Sequence, residues 1–142
     1  MRRRNLISEN HQLAIHKLLA MASLAYDTRD LETLEDCFWP DAQMSLQIAG
    51  GDIVGPFSGT DNIMQLYGDA MSKQTDVRKH VVTNTIIDGH NTEASAVSIL
   101  TLFATDKGMT RLLTVGFYKD NLTLKRGEWR LQKRHVDLDS AY

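Results

Sequence analysis

The first third of the chain repeats its hydrophobic residues at helical intervals of three and four positions. In the first segment these residues are Ile15, Leu18, Leu19, Ala22 and Tyr26. Such spacing puts them on one face of a helix. A second, short helix is predicted from Leu31, Leu34 and Phe38. Asp30 is placed to cap this helix, and the Trp39-Pro40 pair is expected to end it.

A hairpin and a third helix are predicted to follow. Residues 42–48 and 53–57 have the pattern of short strands, and the Ala-Gly-Gly-Asp sequence at 49–52 is typical of the turn between them. Thr60 is expected to cap the third helix. The apolar face of that helix consists of Ile63, Leu66, Tyr67 and Ala70.

From Val77 onward the pattern changes to that of strands. Four runs rich in Val, Ile, Thr, Leu and aromatic residues cover residues 77–88, 94–104, 109–122 and 129–136. Turn-forming sequences separate them, and no helical pattern intervenes. Four consecutive strands predict an antiparallel meander. The whole order predicts an α+β domain in which helices cover one face of a curved sheet.

Length and composition indicate one domain. The chain has 142 residues, of which 42% are hydrophobic, and this suffices for a single core with one internal cavity. We expect residues 1–142 to form that domain, with an ordered core at about 9–137 and loose ends.

Charge and cysteine content exclude several classes of partner. The formal net charge is -2 and both signs are interspersed, so neither nucleic acid nor a membrane surface is expected as a partner. No apolar segment follows Arg2-Arg3-Arg4, which argues against a secretory signal. Cys37 is the single cysteine, which favours a reducing cytoplasm and a thiol that acts as a small buried hydrophobe.

The candidate chemistry lies in two segments that are distant in sequence. Alternation along residues 78–87 puts His80, Val82, Asn84 and Ile86 on one side of a strand. Asp27 falls where the first helix should end, and the negative end of the helix dipole there disfavours an uncompensated carboxylate. A histidine across a cavity would compensate it. The carboxylate would in turn fix the tautomer of the imidazole and prepare it to remove a proton.

The ordered segments resemble the SnoaL-like branch of the NTF2-like superfamily over residues 9–137. They are Ala-Tyr-Asp-Thr-Arg-Asp-Leu-Glu-Thr-Leu at 25–34, Cys-Phe-Trp-Pro-Asp-Ala at 37–42, Gly-Pro-Phe-Ser-Gly-Thr-Asp-Asn-Ile at 55–63, His-Val-Val-Thr-Asn at 80–84, Gly-Phe-Tyr at 116–118 and Arg-Gly-Glu-Trp-Arg-Leu-Gln-Lys-Arg at 126–134. The resemblance implies a cone of three N-terminal helices packed on a strongly curved mixed or antiparallel sheet. Such a cone encloses an apolar pocket.

The resemblance also implies roles for individual residues. In the dehydrochlorinase and bile-acid dehydratase members, an aspartate at the end of the first helix pairs with the histidine of His-x-x-Thr-Asn, and Asp27 and His80 match these positions. The offset of five residues from Trp129 makes Arg134 the third catalytic candidate, expected in the pocket. The implied activity is that of a cofactor-free lyase or isomerase that removes a proton from a small hydrophobic molecule, cyclic ones included.

Further residues are expected at the substrate. Tyr26 or Tyr67 would donate a hydrogen bond, Asn84 would orient His80, and Trp39 and Met64 would form part of the wall. No metal site is expected, because no histidine pair has ligand spacing with a cysteine or a carboxylate cluster.

Other interpretations stay open from sequence alone. Asp27 could be only a helix cap, His80 a satisfied sheet residue and Arg134 part of a surface ion pair. At the level of function the alternatives are a non-catalytic binding protein, a structural subunit resembling dioxygenase β chains, and an epoxide hydrolase of the limonene type. A homodimer is expected by analogy with the family.

Overall fold

The structure is a computed structural model that describes residues 7–142. Its three helices are α1 (Glu9–Asp27), α2 (Leu31–Asp36) and α3 (Thr60–Lys73). Its strands are β1 (Phe38–Ile48), β2 (Val54–Ser58), β3 (Val77–His90), β4 (Glu93–Asp106), β5 (Met109–Lys125) and β6 (Glu128–Leu138). The domain is therefore α+β.

The six strands form one mixed sheet in the order β2-β1-β6-β5-β4-β3. Strands β3 to β6 pair antiparallel in succession, so the predicted meander is confirmed. Strand β1 pairs parallel with β6 and joins the hairpin to the meander. The helices contact one side of the sheet, called here the inner face, and the core lies between them. Ile15, Leu34 and Ile63 are completely buried in it, and each such side chain contributes roughly 1.5–3 kcal/mol through the hydrophobic effect.

The predicted end of the second helix is wrong. Helix α2 ends at Asp36, and Phe38 begins β1 together with Trp39 and Pro40. Phe38 fits the helical interval after Leu34, but it is opposite Leu131 in the parallel ladder, where it is 1% exposed. Burial in the sheet has prevailed over local periodicity.

Helix α3 begins one residue away from the predicted cap and lies later in the fold than implied. Gly59, with a φ of 84°, is the residue before the helix, and Thr60 is its first residue. A left-handed backbone at this position favours glycine over threonine. The helix follows the β1–β2 hairpin, so only α1 and α2 are N-terminal to the sheet.

Three strand irregularities change which side chains face the core. In β3 the register shifts between Thr83 and Ile86, and Asn84 has a φ of 54°. In β5 and β6 the extra residues are Leu113 and Gln132, each unmatched in the ladder. Because alternation has a period of two, one extra residue reverses it. Regular alternation therefore predicts the wrong face beyond each of these points.

The C-terminal segment is tied to the sheet more closely than expected. Leu138 belongs to β6, and the Thr114 hydroxyl donates a hydrogen bond to the Ser140 carbonyl at 2.8 Å. The expectation for residues 1–6 lies outside the described residues. Within residues 7–142, no helix combines the length and the apolar character needed to cross a membrane.

Candidate active site

Asp27 is the last residue of α1, and its carboxylate turns toward β3. Both of its oxygens accept the backbone N–H of His80, each at 3.0 Å. The side chain is only 7% exposed. These hydrogen bonds stabilise a buried carboxylate at the unfavourable end of a helix dipole. They also fix the end of α1 to the third strand.

His80 lies on the inner face of β3, and its ring meets the same carboxylate. Its Nδ1 is 2.6 Å from Oδ1 of Asp27, and the His80 side chain is 4% exposed. A carboxylate only accepts hydrogen bonds, so the proton of a neutral ring is placed on Nδ1. Among the contacts within residues 7–142, Nε2 has no hydrogen-bond partner. The lone pair on Nε2 is therefore available to a ligand.

An apolar cavity of about 120 Å³ opens beside this pair. Its wall includes Tyr26, Tyr67, His80, Tyr118 and Tyr142, and aliphatic side chains of β1, β4, β6 and α3 form much of the remainder. The Tyr26 ring stacks on the His80 ring at a centroid distance of 4.3 Å and an interplanar angle of 25°. Tyr67 meets Tyr26 edge-on at 4.8 Å. The aromatic contacts hold the imidazole at the edge of the cavity.

The hydroxyls of Tyr26, Tyr67 and Tyr118 are hydrogen-bond donors at neutral pH. Burial raises the pKa of Tyr26, Tyr67 and Tyr118 above that of free tyrosine. Arg134 offsets part of the rise in the pKa of Tyr67 and Tyr118. The lining of the cavity contains no lysine, arginine, aspartate or glutamate from residues 7–142. Its polar contacts are therefore those of phenols and one imidazole.

Arg134 is buried, but it lies behind the cavity wall and not in the lining, where it was expected. It is not among the cavity-lining residues. Its Nε and Nη2 donate to the two oxygens of Asp120 at 2.9 and 3.0 Å, and the Arg134 and Asp120 side chains are 3% and 0% exposed. Burial alone would lower the pKa of the guanidinium, but the Asp120 carboxylate holds that pKa above its ordinary value. The guanidinium also lies 4.0 Å from the centre of the Tyr118 ring, so it supports the wall from behind.

Three other candidates lie away from the cavity. Asn84 is exposed because the irregularity in β3 turns it out, so it does not share the side of His80. The indole of Trp39 donates to the Thr123 carbonyl at 2.9 Å, and Lys125 and Arg130 lie over its ring, on the side of the sheet away from the helices. Met64 packs against the core but does not line the cavity. Tyr26 and Tyr67 do line it.

Sequence reasoning missed Asp120, Tyr118 and Tyr142. Asp120 and Tyr118 lie two residues apart on the inner face of β5, and Asp120 is directly opposite Arg134 on β6. An acid at an inward position between Tyr118 and Leu122 was a detectable signal. Its partner could be assigned only from the register of β5 against β6. Nothing in the local sequence around Tyr142 indicated a place at the cavity.

Cys37 is expected to be unreactive in the folded protein. Cys37 is 1% exposed, and burial raises the pKa of its thiol to about 11. At pH 8 very little of it is thiolate, so a disulfide reagent should react roughly a hundredfold more slowly than with the unfolded chain. Comparing the reaction in buffer and in guanidinium chloride measures this. Equal rates would show that the site opens readily.

Metal ligands do not cluster in the part of the chain that the structure describes. No three His, Cys, Asp or Glu side chains of residues 7–142 are grouped closely enough to hold an ion.

Comparison with known proteins identifies the family of the chain. The model of the SnoaL-like domain matches residues 10–135. No curated protein matches the chain by sequence.

Solved structures share the fold at low sequence identity. A protein of unknown function with a cystatin-like fold from Nostoc punctiforme PCC 73102 is 22% identical, with 94% of each chain covered and a TM-score of 0.80. The β subunit of a putative aromatic-ring-hydroxylating dioxygenase from Novosphingobium aromaticivorans is 24% identical, with 94% of this chain and 92% of that chain covered and a TM-score of 0.78. A putative scytalone dehydratase from the same organism is 21% identical, with coverages of 90% and 83% and a TM-score of 0.73. These likenesses establish the fold alone.

Proposed function

Because the chain belongs to the SnoaL-like domain family, we propose that it is a cofactor-free lyase or isomerase of a small hydrophobic molecule. The 2.6 Å contact between Asp27 and His80 beside an apolar cavity carries this proposal. His80 acts as the general base through Nε2, and Asp27 holds the tautomer and stabilises the imidazolium that forms.

The proposed reaction begins at a carbon next to a carbonyl or another activating group. Nε2 takes the proton, and the electron pair of the C–H bond moves into a new double bond. In an elimination, hydroxide or halide leaves from the neighbouring carbon with its bonding pair. In an isomerisation, the imidazolium returns the proton to another carbon. The protonated phenols of Tyr26 and Tyr67 donate to the oxygen that gains charge.

A second candidate function is that of a structural subunit. The likeness to a dioxygenase β subunit favours it. A scaffold has no need of an imidazole with a free Nε2 at an apolar cavity, so the Asp27–His80 pair supports the enzyme over the scaffold. A non-catalytic binding protein would use the same cavity without turnover.

The site favours elimination over epoxide hydrolysis. A limonene-type hydrolase uses two carboxylates beside an arginine to activate water. Here Asp27 is bound to His80, and Arg134 is paired with Asp120 away from the cavity lining.

The proposal is tested by proton exchange, which needs no knowledge of the natural substrate. The protein is incubated in D₂O with small cyclic ketones, β-hydroxyketones and β-haloketones, and deuterium uptake and products are followed by mass spectrometry. A general base predicts exchange or elimination above the buffer rate, and His80→Ala should lose it. Binding of these compounds without exchange or turnover would favour the binding protein.

A homodimer is also proposed, formed through the outer face of the sheet. Val81, Val97 and Phe117 on β3, β4 and β5 are 39%, 43% and 39% exposed there. Apolar side chains exposed on adjacent strands are typical of a covered surface. Sedimentation velocity should give a dimer for the wild type and a monomer for Phe117→Lys. A wild-type monomer would contradict the proposed interface.

A further inference from the structure

A second recess of about 360 Å³ adjoins the cavity at its Tyr142 side. We call it the basic recess; it is lined by Lys73, Gln74, Asp76, Arg78, Arg111 and Tyr142, among others. Ala70 and Tyr142 line both spaces, so the two lie side by side and share part of their wall. A ligand longer than the cavity would extend into the basic recess.

The register of the sheet brings two arginines to this place. Arg78 on β3 and Arg111 on β5 are each opposite Ala104 on β4. The extra residue Leu113 reverses the alternation of β5, so that Arg111 and the buried Thr114 both face inward. Two strand spacings separate the arginines by about 10 Å at Cα.

The end of α3 supplies further donors to the same recess. Lys73 lies in the last turn of α3, and Gln74 follows it. The Nε2 amide of Gln74 is buried; its side chain lies close enough to the Tyr26 hydroxyl to offset part of the rise in the pKa of Tyr26, but it forms no hydrogen bond of good geometry in the described residues. Unpaired buried donors are uncommon because each costs about 1–3 kcal/mol. This donor is satisfied if a ligand brings an acceptor.

The charge of the basic recess is positive, although the whole chain carries -2. Three cationic side chains, Lys73, Arg78 and Arg111, line it against one side-chain carboxylate, Asp76, so its side chains carry a net charge of +2. Asp76 accepts from Nε of Arg78 at 2.9 Å, and this leaves the other guanidinium N–H groups of Arg78 without that partner. The Arg78 guanidinium also lies 5.2 Å from the centre of the Tyr142 ring. The arginine is thereby held in place at the boundary between the two spaces.

We propose that the basic recess binds the anionic group of a ligand whose apolar body occupies the cavity. The substrate class is therefore an amphipathic acid, with a carboxylate or a phosphate ester at the end remote from the reacting carbon. Calling this ligand a substrate rests on the proposed function, whereas binding of the anionic ligand does not depend on catalysis. Bidentate recognition by arginine and a lysine point charge suit both kinds of anion.

The test compares probes of one shape that differ in charge. Binding of 2-naphthoate, 2-naphthamide and 2-naphthyl phosphate is measured by calorimetry. The wild type should bind at least one of the two anions about tenfold more tightly than the neutral amide. The anion that binds more tightly shows whether the ligand of the basic recess carries a carboxylate or a phosphate ester. Added salt should weaken the binding of the anion and leave that of the amide unchanged.

Variants of exposed residues locate the effect without threatening the fold. Lys73→Gln and Arg111→Gln should each reduce the preference for the anion several-fold, and the double variant should abolish it. Lys133→Gln, an exposed residue of β6, is the matched control and should retain the preference. Equal binding of the anions and the amide by the wild type, or no binding of the anions, would overturn the proposal. So would an intact preference in the double variant.

The His80→Ala variant separates this inference from the proposed function. It should lose deuterium exchange and keep the preference for the anion. Anion preference without any exchange by the wild type would remove the catalytic proposal alone. Deuterium exchange without a preference for the anion would contradict only the proposal that the basic recess binds an anionic group.

Discussion

Replacing Asp120 with asparagine should lower the free energy of unfolding by about 3–5 kcal/mol. The variant leaves the Arg134 guanidinium, 3% exposed, without the carboxylate that neutralises it. A buried charge with no partner has lost its solvation by water, and no ion pair compensates for that loss. Urea unfolding followed by circular dichroism measures the difference.

Removing both charges should restore much of the lost stability. In Asp120→Leu combined with Arg134→Met, neither an unpaired ion nor an unsatisfied acceptor is buried, and the volumes are similar. The exposed pair Lys119–Asp137, with an N–O distance of 3.5 Å on the same two strands, is the matched control. Asp137→Asn should cost less than about 1 kcal/mol. An equally small cost for Asp120→Asn would mean that water reaches Arg134.

Replacing His80 with alanine should reduce the rate of proton abstraction by about 10²- to 10⁴-fold, the usual contribution of a general base. The fold should tolerate the change, because the backbone N–H at position 80 still donates to both oxygens of Asp27. Ligand affinity should change much less than the rate, since the cavity wall consists mainly of other residues. Equal losses of affinity and rate would indicate a binding role for His80.

Tyr26→Phe separates hydrogen bonding by the Tyr26 hydroxyl from the support that the Tyr26 ring gives to His80. The variant keeps the ring that stacks on the imidazole at 4.3 Å and removes only the hydroxyl. If Tyr26 donates to the developing oxyanion, the rate falls while the fold and the Asp27–His80 contact are retained. An unchanged rate would show that the Tyr26 hydroxyl is not the donor.

The elements with sustained patterns were predictable from the sequence. The four strand runs of the meander and the helical face from Ile15 to Ala22 each repeat their period several times, so tertiary packing only extends them. Phe38 is different, because one apolar residue satisfies both the end of a helix and the start of a strand. Pairing with Leu131, which is far away in sequence, places Phe38 in the strand.

The errors at the site come mainly from single extra residues in strands. Alternation placed Asn84 beside His80, but the left-handed backbone at Asn84 reverses the face of β3 there. The extra Gln132 reverses the alternation of β6 in the same way, so Trp129 and Arg134 both face inward although they are an odd number of residues apart. No local pattern specifies such a residue, so the Arg134–Asp120 pair could not be derived without the register.

The contact between Asp27 and His80 was predicted on two grounds. One was the helix end at Asp27, where a carboxylate needs a compensating partner, and the other was the resemblance to family members in which residues at these two positions pair. His80 precedes the irregularity in β3, so regular alternation still predicts the correct face for it. The catalytic role of the pair stays a prediction.

The most direct test is the rate of solvent deuterium exchange in Asp27→Asn compared with Asp30→Asn. Asparagine at position 27 keeps the shape and one acceptor oxygen but removes the charge that holds the imidazole tautomer and stabilises the imidazolium. Asparagine at position 30 caps α2 about as well as the native aspartate does. We predict that Asp27→Asn loses about 10²-fold or more in rate while Asp30→Asn retains the wild-type rate. Wild-type exchange in Asp27→Asn would contradict the role of the Asp27–His80 pair in catalysis.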